Sequence, residues 1–132
     1  MRDFGIPALL LIFGHLPSPA EYDEFSEDLT RFAYLDEGMK HQFGGFPHNA
    51  PPMAILSAMI NSLACYHPEL HELEDEHQFR IATARLISKI RTIAAYAYRH
   101  SRGVPYIYPD PALRYVPNFL HMMFSQPYRQ YI

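Results

Sequence analysis

Apolar residues recur at helical spacing along most of this chain. Between Pro19 and Tyr34 the positions Tyr22, Phe25, Leu29 and Phe32 fall three or four residues apart. Glu21, Asp23, Glu24, Glu27 and Asp28 lie largely on the rest of the wheel, so the segment predicts an amphipathic helix. Its start is explicit: Ser18 suits an N-cap, Pro19 fits the first helical position, and Glu21 completes a capping box. A shorter apolar run, Ala8 to Phe13, predicts a short buried helix ahead of it. Length alone leaves a strand open there.

The turn-rich stretch Gly44 to Pro52 breaks the pattern, and a second helix is predicted from Met53 to Tyr66. Ile55, Met59, Ile60, Leu63 and Tyr66 mark it, and the small residues between them imply close approach of neighbouring helices. Pro68 ends it, and the acidic, His-bearing residues 69–77 read as a solvated connection. The longest helix is predicted from His77 to Ser101. Its stripe of Phe79, Ala82, Leu86, Ile90, Ile93 and Ala97, widened by Ile81, Ile87 and Ala94, implies burial on more than one side. Gly103 supplies a left-handed stop and Pro105 forbids continuation, while Arg99, His100 and Arg102 complement the negative end of the helix dipole. An extended, proline-stiffened loop follows at Tyr106–Pro111, then a last short helix at Pro117–Phe124. Pro127 ends that helix, and the tail Tyr128–Ile132 has no pattern. No segment alternates as a strand does, and no repeat appears. The expected fold is all-α, with 1–132 as a single segment.

Composition adds bounds. A chain of 132 residues allows one domain, and 48% hydrophobic against 19% charged residues excludes wholesale disorder. Charge is divided unevenly: residues 1–77 carry three basic and thirteen acidic side chains, residues 78–132 eight and one. Such asymmetry points to oppositely charged helices packed together or facing a partner. A nucleic-acid partner for Arg80–Arg102, where Tyr96 and Tyr98 interleave, is the competing reading. Arg85, Lys89 and Arg99 share that helix with a wide apolar stripe, which leaves little continuous basic face, so no nucleic acid is expected. The apolar run Ile6–Phe13 is too short to span a bilayer. Its flanks are nearly neutral, Pro7 interrupts it, and no signal-cleavage site follows. A soluble cytoplasmic protein without a membrane partner is the expectation.

Candidate chemistry is sparse. Cys65 is the one cysteine, which excludes an internal disulfide, and its neighbours Leu63, Ala64 and Tyr66 suggest a buried small hydrophobe rather than a nucleophile. His67 and His71 have i,i+4 spacing and lie near His77 and Glu74, but Pro68 intervenes and no zinc motif has this order. A solvated loop without metal is expected there, and solvation likewise for Glu74, Asp75 and Glu76. No phosphate loop, dinucleotide glycine pattern or nucleophile elbow occurs. The residues by themselves name no active site.

Several segments do resemble a known family. Ala8-Leu9-Leu10-Leu11-Ile12-Phe13-Gly14-His15-Leu16-Pro17, followed by Glu21, Tyr22 and Phe25, is similar to the early large-domain segment of citrate synthases. Pro52-Met53-Ala54-Ile55-Leu56 resembles their next helix start, and Arg85-Leu86-Ile87-Ser88-Lys89 the long helix after it. Gly103–Pro109 and Asn118–Phe124 complete the series in family order and spacing. The resemblance covers almost the whole chain but only a minor part of a family member.

It implies an all-α portion of the large domain. The family reaction condenses acetyl-CoA with oxaloacetate and water, giving citrate and CoA, an acyl transfer of the tricarboxylic acid cycle. A His acts on the oxaloacetate carbonyl, an Asp takes a methyl proton, and a second His assists. The resemblance places all three, with the carboxylate-binding arginines, beyond Ile132, so His67 and His121 inherit no catalytic role and the isolated chain is expected to be inactive. It implies no cofactor of this chain; acetyl-CoA is the family co-substrate. Helices corresponding to 52–66 and 78–101 pack across the family's dimer two-fold, which implies a homo-oligomer or pairing with a citrate synthase homologue. A non-enzymatic helical oligomerisation or docking module is the alternative. In some bacterial members an NADH-binding regulatory site draws on this region: Arg31, Arg85 and Lys89 match its basic positions, and Tyr66 falls within one residue of its tyrosine. Phe32-Ala33-Tyr34 departs from the His-Thr-Met pattern there, and Pro51 replaces a His that commonly precedes Pro-Met.

Overall fold

Ser18 begins the acidic helix as its sequence requires. In a computed structural model that describes residues 5–71 and 74–126, the Glu21 amide donates to Ser18 Oγ at 3.2 Å and the Ser18 amide to Glu21 Oε1 at 3.1 Å. The helix that follows, α2 (Pro19–Arg31), stops three residues short of the expected Tyr34. The chain turns inward there so that Ala33 and Leu35 enter the interior. Before it, α1 (Gly5–Phe13) is a helix and not a strand, but only Gly5, Ala8 and Leu9 are buried in it. Leu11 is 84% exposed, so the expectation of a buried segment fails within this chain.

Beyond α2, Asp36 accepts from the Gly38 amide at 2.8 Å and caps a five-residue helix, α3 (Glu37–His41), which runs into a 3₁₀ turn at Gln42–Gly45. Then come α4 (Pro52–Tyr66), a 3₁₀ turn at Pro68–His71, α5 (Glu76–Arg102) and α6 (Tyr115–Phe124). The turn at 68–71 corrects the picture of a wholly solvated connection, because Leu70 packs on the core. Asp75 caps α5, accepting from the Gln78 amide at 2.7 Å. Gly103, at φ +66°, ends it where only glycine adopts that backbone without strain. Pro117 lies inside the first turn of α6, two residues past its start, where a missing N–H costs no helical bond. The tail Tyr128–Ile132 lies outside the described residues.

The fold is all-α, organised on α5, which packs against α2, α4 and α6. The larger core joins Ile93, Tyr96 and Ala97 of α5 to Met39, Phe43, Ile55, Met59, Leu63 and Met122. A smaller one, at the other end of α5, joins Ala84 to Ala8, Leu9, Phe25 and Leu29. Two members of the expected apolar stripe, Phe79 and Leu86, are exposed instead. Part of the burial on α5 is polar: Ser88, Lys89, Arg91, Thr92 and Arg99 all lie inside.

Those polar groups have a shared task. The last carbonyls of a helix lack intrahelical partners and need donors. Ser88 Oγ donates to the Leu29 carbonyl at 2.5 Å, Arg91 Nη2 to the same carbonyl at 3.1 Å, and Thr92 Oγ1 to that of Ala33 at 2.6 Å. Lys89 Nζ donates to the Tyr34 carbonyl. At the other end Arg99 Nε donates to the Met122 carbonyl at 2.9 Å, and its Nη2 to that of Ser125. One face of α5 therefore receives the last turn of α2, Ala33 and Tyr34 just beyond it, and the end of α6.

Candidate functional site

Of the four residues singled out for nucleotide contact, Arg31, Arg85 and Lys89 lie around the end of α2, whereas Tyr66 lies against α3. Phe32, the first residue past α2, carries two guanidinium groups on its ring, Arg31 and Arg85, each 4.5 Å from the centroid. Cations placed so near an aromatic ring are attracted by its quadrupole. Arg31 also reaches Asp28 at 2.7 Å, with 62% of its side chain exposed. Arg85 pairs with Glu69 and approaches His67 Nδ1 at 3.4 Å. Its Nε is buried without a hydrogen-bond partner among the described residues.

Lys89 and Tyr66 are engaged elsewhere. Lys89 is 6% exposed, with its ammonium on the Tyr34 carbonyl. The Tyr66 hydroxyl accepts from Gln42 Nε2 at 3.0 Å and lies against Gly38, where a Cβ would come within 3.3 Å of it.

Cations and carboxylates meet at this corner: Arg31 pairs with Asp28, Arg85 with Glu69, and Asp36 acts on Lys89. Burial, then the charges of Lys89 and Arg85, hold the His67 imidazole below its ordinary range. Burial and then Arg31 lower Arg85. Burial, with Arg85 adding to it, brings Lys89 down to about 8.

Other candidate residues resolve differently. Cys65 is exposed, against expectation. Ile55, Met59 and Leu63 define the inward line of α4 at four-residue spacing, and Cys65, two positions beyond Leu63, falls on the far side. The histidine cluster divides: His67 faces Glu69 at 3.4 Å, whereas His77 faces Glu24 at 3.8 Å. Among the described residues no three His, Cys, Asp or Glu side chains gather where they could hold a metal. Of the basic side chains between 80 and 102, Lys89, Arg91 and Arg99 are buried, and Arg80 pairs with Glu21 at 2.8 Å and Glu76 at 3.3 Å.

The charge asymmetry thus has a structural counterpart in α2 packed on α5. Arg80 first, then the Ser18 backbone, holds the Glu21 carboxyl at about 2. A carboxylate lowered by folding stabilises the fold above its unfolded value of 4.5, and that contribution fades as pH falls toward 2.

Periodicity gave no sign of an open groove of about 860 Å³ between α1, α2 and residues 111–117. Pro7, Tyr22, Leu29, Leu113 and Val116 line it. Beside it α1 presents Ile6, Leu10 and Leu11 outward. No helix among the described residues is long and apolar enough to cross a membrane.

Comparison with known proteins agrees on one family. The family model "Citrate synthase, C-terminal domain" matches residues 3–132. Citrate synthase 1 of Mycobacterium tuberculosis is 42% identical over 122 residues, covering 92% of this chain and 28% of that protein. The citrate synthase of Corynebacterium glutamicum is 42% identical over 128 residues, covering 97% and 29%. Among solved structures, citrate synthase from Pyrobaculum aerophilum superposes with a TM-score of 0.84 at 25% identity, covering 96% of this chain and 34% of that one. The chain therefore spans less than a third of the curated relatives it matches. The family model matches residues 3–132, nearly all of this chain, and this chain therefore belongs to the citrate synthase family.

Proposed function

We propose that these residues form a helical portion of the large domain of a citrate synthase-type subunit, and that the groups performing the chemistry lie in other parts of such a subunit. The completed enzyme would condense acetyl-CoA with oxaloacetate in the cytoplasm, with no cofactor held by this portion. The observation that carries this reading is the pairing of near-complete coverage here with 28% coverage of the relative. The side-chain chemistry supports it. Enolising a thioester needs a base and an electrophile convergent on one pocket, whereas the buried cations of α5, Lys89, Arg91 and Arg99, are spent on backbone carbonyls. The purified 132-residue chain should release no CoA from acetyl-CoA in the presence of oxaloacetate. Citrate formation by that chain alone would overturn the proposal.

A docking role is favoured by a separate observation. The outer side of α4 exposes Met53, Ser57, Ala58, Asn61 and Cys65, small residues around one large apolar side chain. Residues 52–101 would use it to pair with a second copy or with a full-length homologue. Sedimentation should then show self-association or a complex with the homologue; a monomer that binds neither would count against it.

For a regulatory nucleotide contact we favour Arg31 and Arg85 on Phe32 over Lys89, whose ammonium donates to the Tyr34 carbonyl, and Tyr66, whose hydroxyl accepts from Gln42. At low salt, Arg85→Ala should remove whatever NADH fluorescence change the unmodified chain produces. A change of equal size in the variant would reject this assignment.

A further inference from the structure

Between α5 and α6 the chain crosses the core as an extended strap, residues 104–111. Prolines at 105, 109 and 111 remove backbone donors along it, so its attachment depends on side chains. One end is fixed by Tyr106, whose ring stacks on buried Tyr96 at 4.8 Å and lies 5.8 Å from that of Phe43. The other is fixed by buried Asn118, which donates to the Asp110 carbonyl and accepts from its amide, both at 3.0 Å.

The middle is held by a cation. Lys40 of α3 places its ammonium 4.2 Å from the ring centroid of Tyr108, 5.7 Å from Tyr106 and 5.9 Å from Tyr96. It donates to the Tyr108 hydroxyl at 3.1 Å and pairs with Glu37 at 3.2 Å. Tyr108 in turn donates to Glu37 at 2.7 Å, which closes a triangle of lysine, tyrosine and carboxylate. Tyr34 adds a bond from its hydroxyl to the Pro109 carbonyl at 3.2 Å. Aromatic faces around an ammonium, with a carboxylate at the rim, are the chemistry of a quaternary-ammonium or methyl-lysine receptor. Here the occupant is the chain's own lysine, 14% exposed.

We propose that Lys40 is a charge-dependent latch: its ammonium, inside the box of Tyr96, Tyr106, Tyr108 and Glu37, fastens the strap 104–111 over the core, and neutralising that charge releases the strap. This goes beyond the reading of the chain as part of a citrate synthase subunit and does not depend on it. The charge is securely kept. Burial lowers the Lys40 ammonium, but its bonds to Tyr108 and Glu37 outweigh that and raise it above the ordinary lysine value. Protons therefore do not work the latch near neutrality; a chemical change at the amine that removes its charge would.

Side-chain NMR on the full chain tests this, because the Tyr106 ring stacks on Tyr96 and release of the strap would remove the ring-current shifts that stacking imposes. Lys40→Arg keeps the cation and should leave the Tyr106 ring shifts unchanged. Lys40→Met and Lys40→Gln should move them most of the way to those of a free tyrosine while amides 88–97 of α5 keep their exchange protection. Tyr106 shifts at the unmodified values in both neutral variants would overturn the latch. So would accelerated exchange of α5 beside the shift change, which would make Lys40 an ordinary stability contact.

Discussion

Phe43→Ala should cost about 3–5 kcal/mol of folding stability, the range for truncating a fully buried phenylalanine. Phe43 is 0% exposed although it sits in a short 3₁₀ turn. Its ring meets that of Tyr96 edge-on at 6.3 Å and that of Tyr106 at 5.8 Å. One side chain thus ties three elements, the turn after α3, the middle of α5 and the strap. Alanine would leave a cavity between two tyrosines held by their own contacts, so collapse around it is restricted. Single domains are stable by about 5–15 kcal/mol, so the variant should lose a large share of its margin. Urea denaturation should show a midpoint well below that of the unmodified chain, with Phe43→Leu in between. A shift in Phe43→Ala equivalent to less than about 1 kcal/mol would mean that the turn is not part of the core.

Such a residue also shows what the sequence could and could not disclose. Long helices were legible because burial of one stripe imposes a 3.6-residue period, which α2, α4 and α5 carry; α2 has its capping box, α4 its flanking prolines and α5 its terminal glycine. The segment from Leu35 to Phe43 carries none. Five residues of α3 complete little more than one turn, and Met39 and Phe43 are buried by what the chain does on either side of them. The reverse error arose at α1, whose apolar run reads as interior. Within these residues Leu11 faces outward, and nothing in a run of leucines states which chain covers it.

Polar burial was harder still. Arg91 and Arg99 belong to a basic helix, yet each is 3% exposed. Their positions follow from where α2 and α6 end, a tertiary fact, and a helix-end carbonyl needing a donor leaves no mark in sequence spacing. The candidate site shares this limit. Resemblance nominated Arg31, Tyr66, Arg85 and Lys89 as one set, and spacing carries no sign that two arginines lie on the Phe32 ring while Lys89 donates to the Tyr34 carbonyl and Tyr66 accepts from Gln42.

Lys89 should also make stability rise with pH between about 8 and 10. Its ammonium is buried on the Tyr34 carbonyl, and burial, with the nearby Arg85 charge, brings it down from 10.5 to about 8. In that interval the unfolded chain still holds the proton and the folded chain has released it. Stability therefore increases as pH rises through the interval, and the lysine is a liability of folding below it. Each unit is worth about 1.4 kcal/mol, so roughly 2 kcal/mol should accumulate over the window. Higher pH obscures the effect. Burial raises the Tyr96, Tyr106 and Tyr115 phenols, which favours their protonated forms in the fold and makes stability fall once the unfolded tyrosines ionise near 10. Arg91, brought down to about 10 by burial, acts in the opposite direction there. Denaturation midpoints at pH 7.5, 8.5 and 9.5 isolate the lysine. They should climb in the unmodified chain and stay level in Lys89→Met, which fills the same space without a titrating group. A climb of equal slope in the variant would assign the effect to another residue.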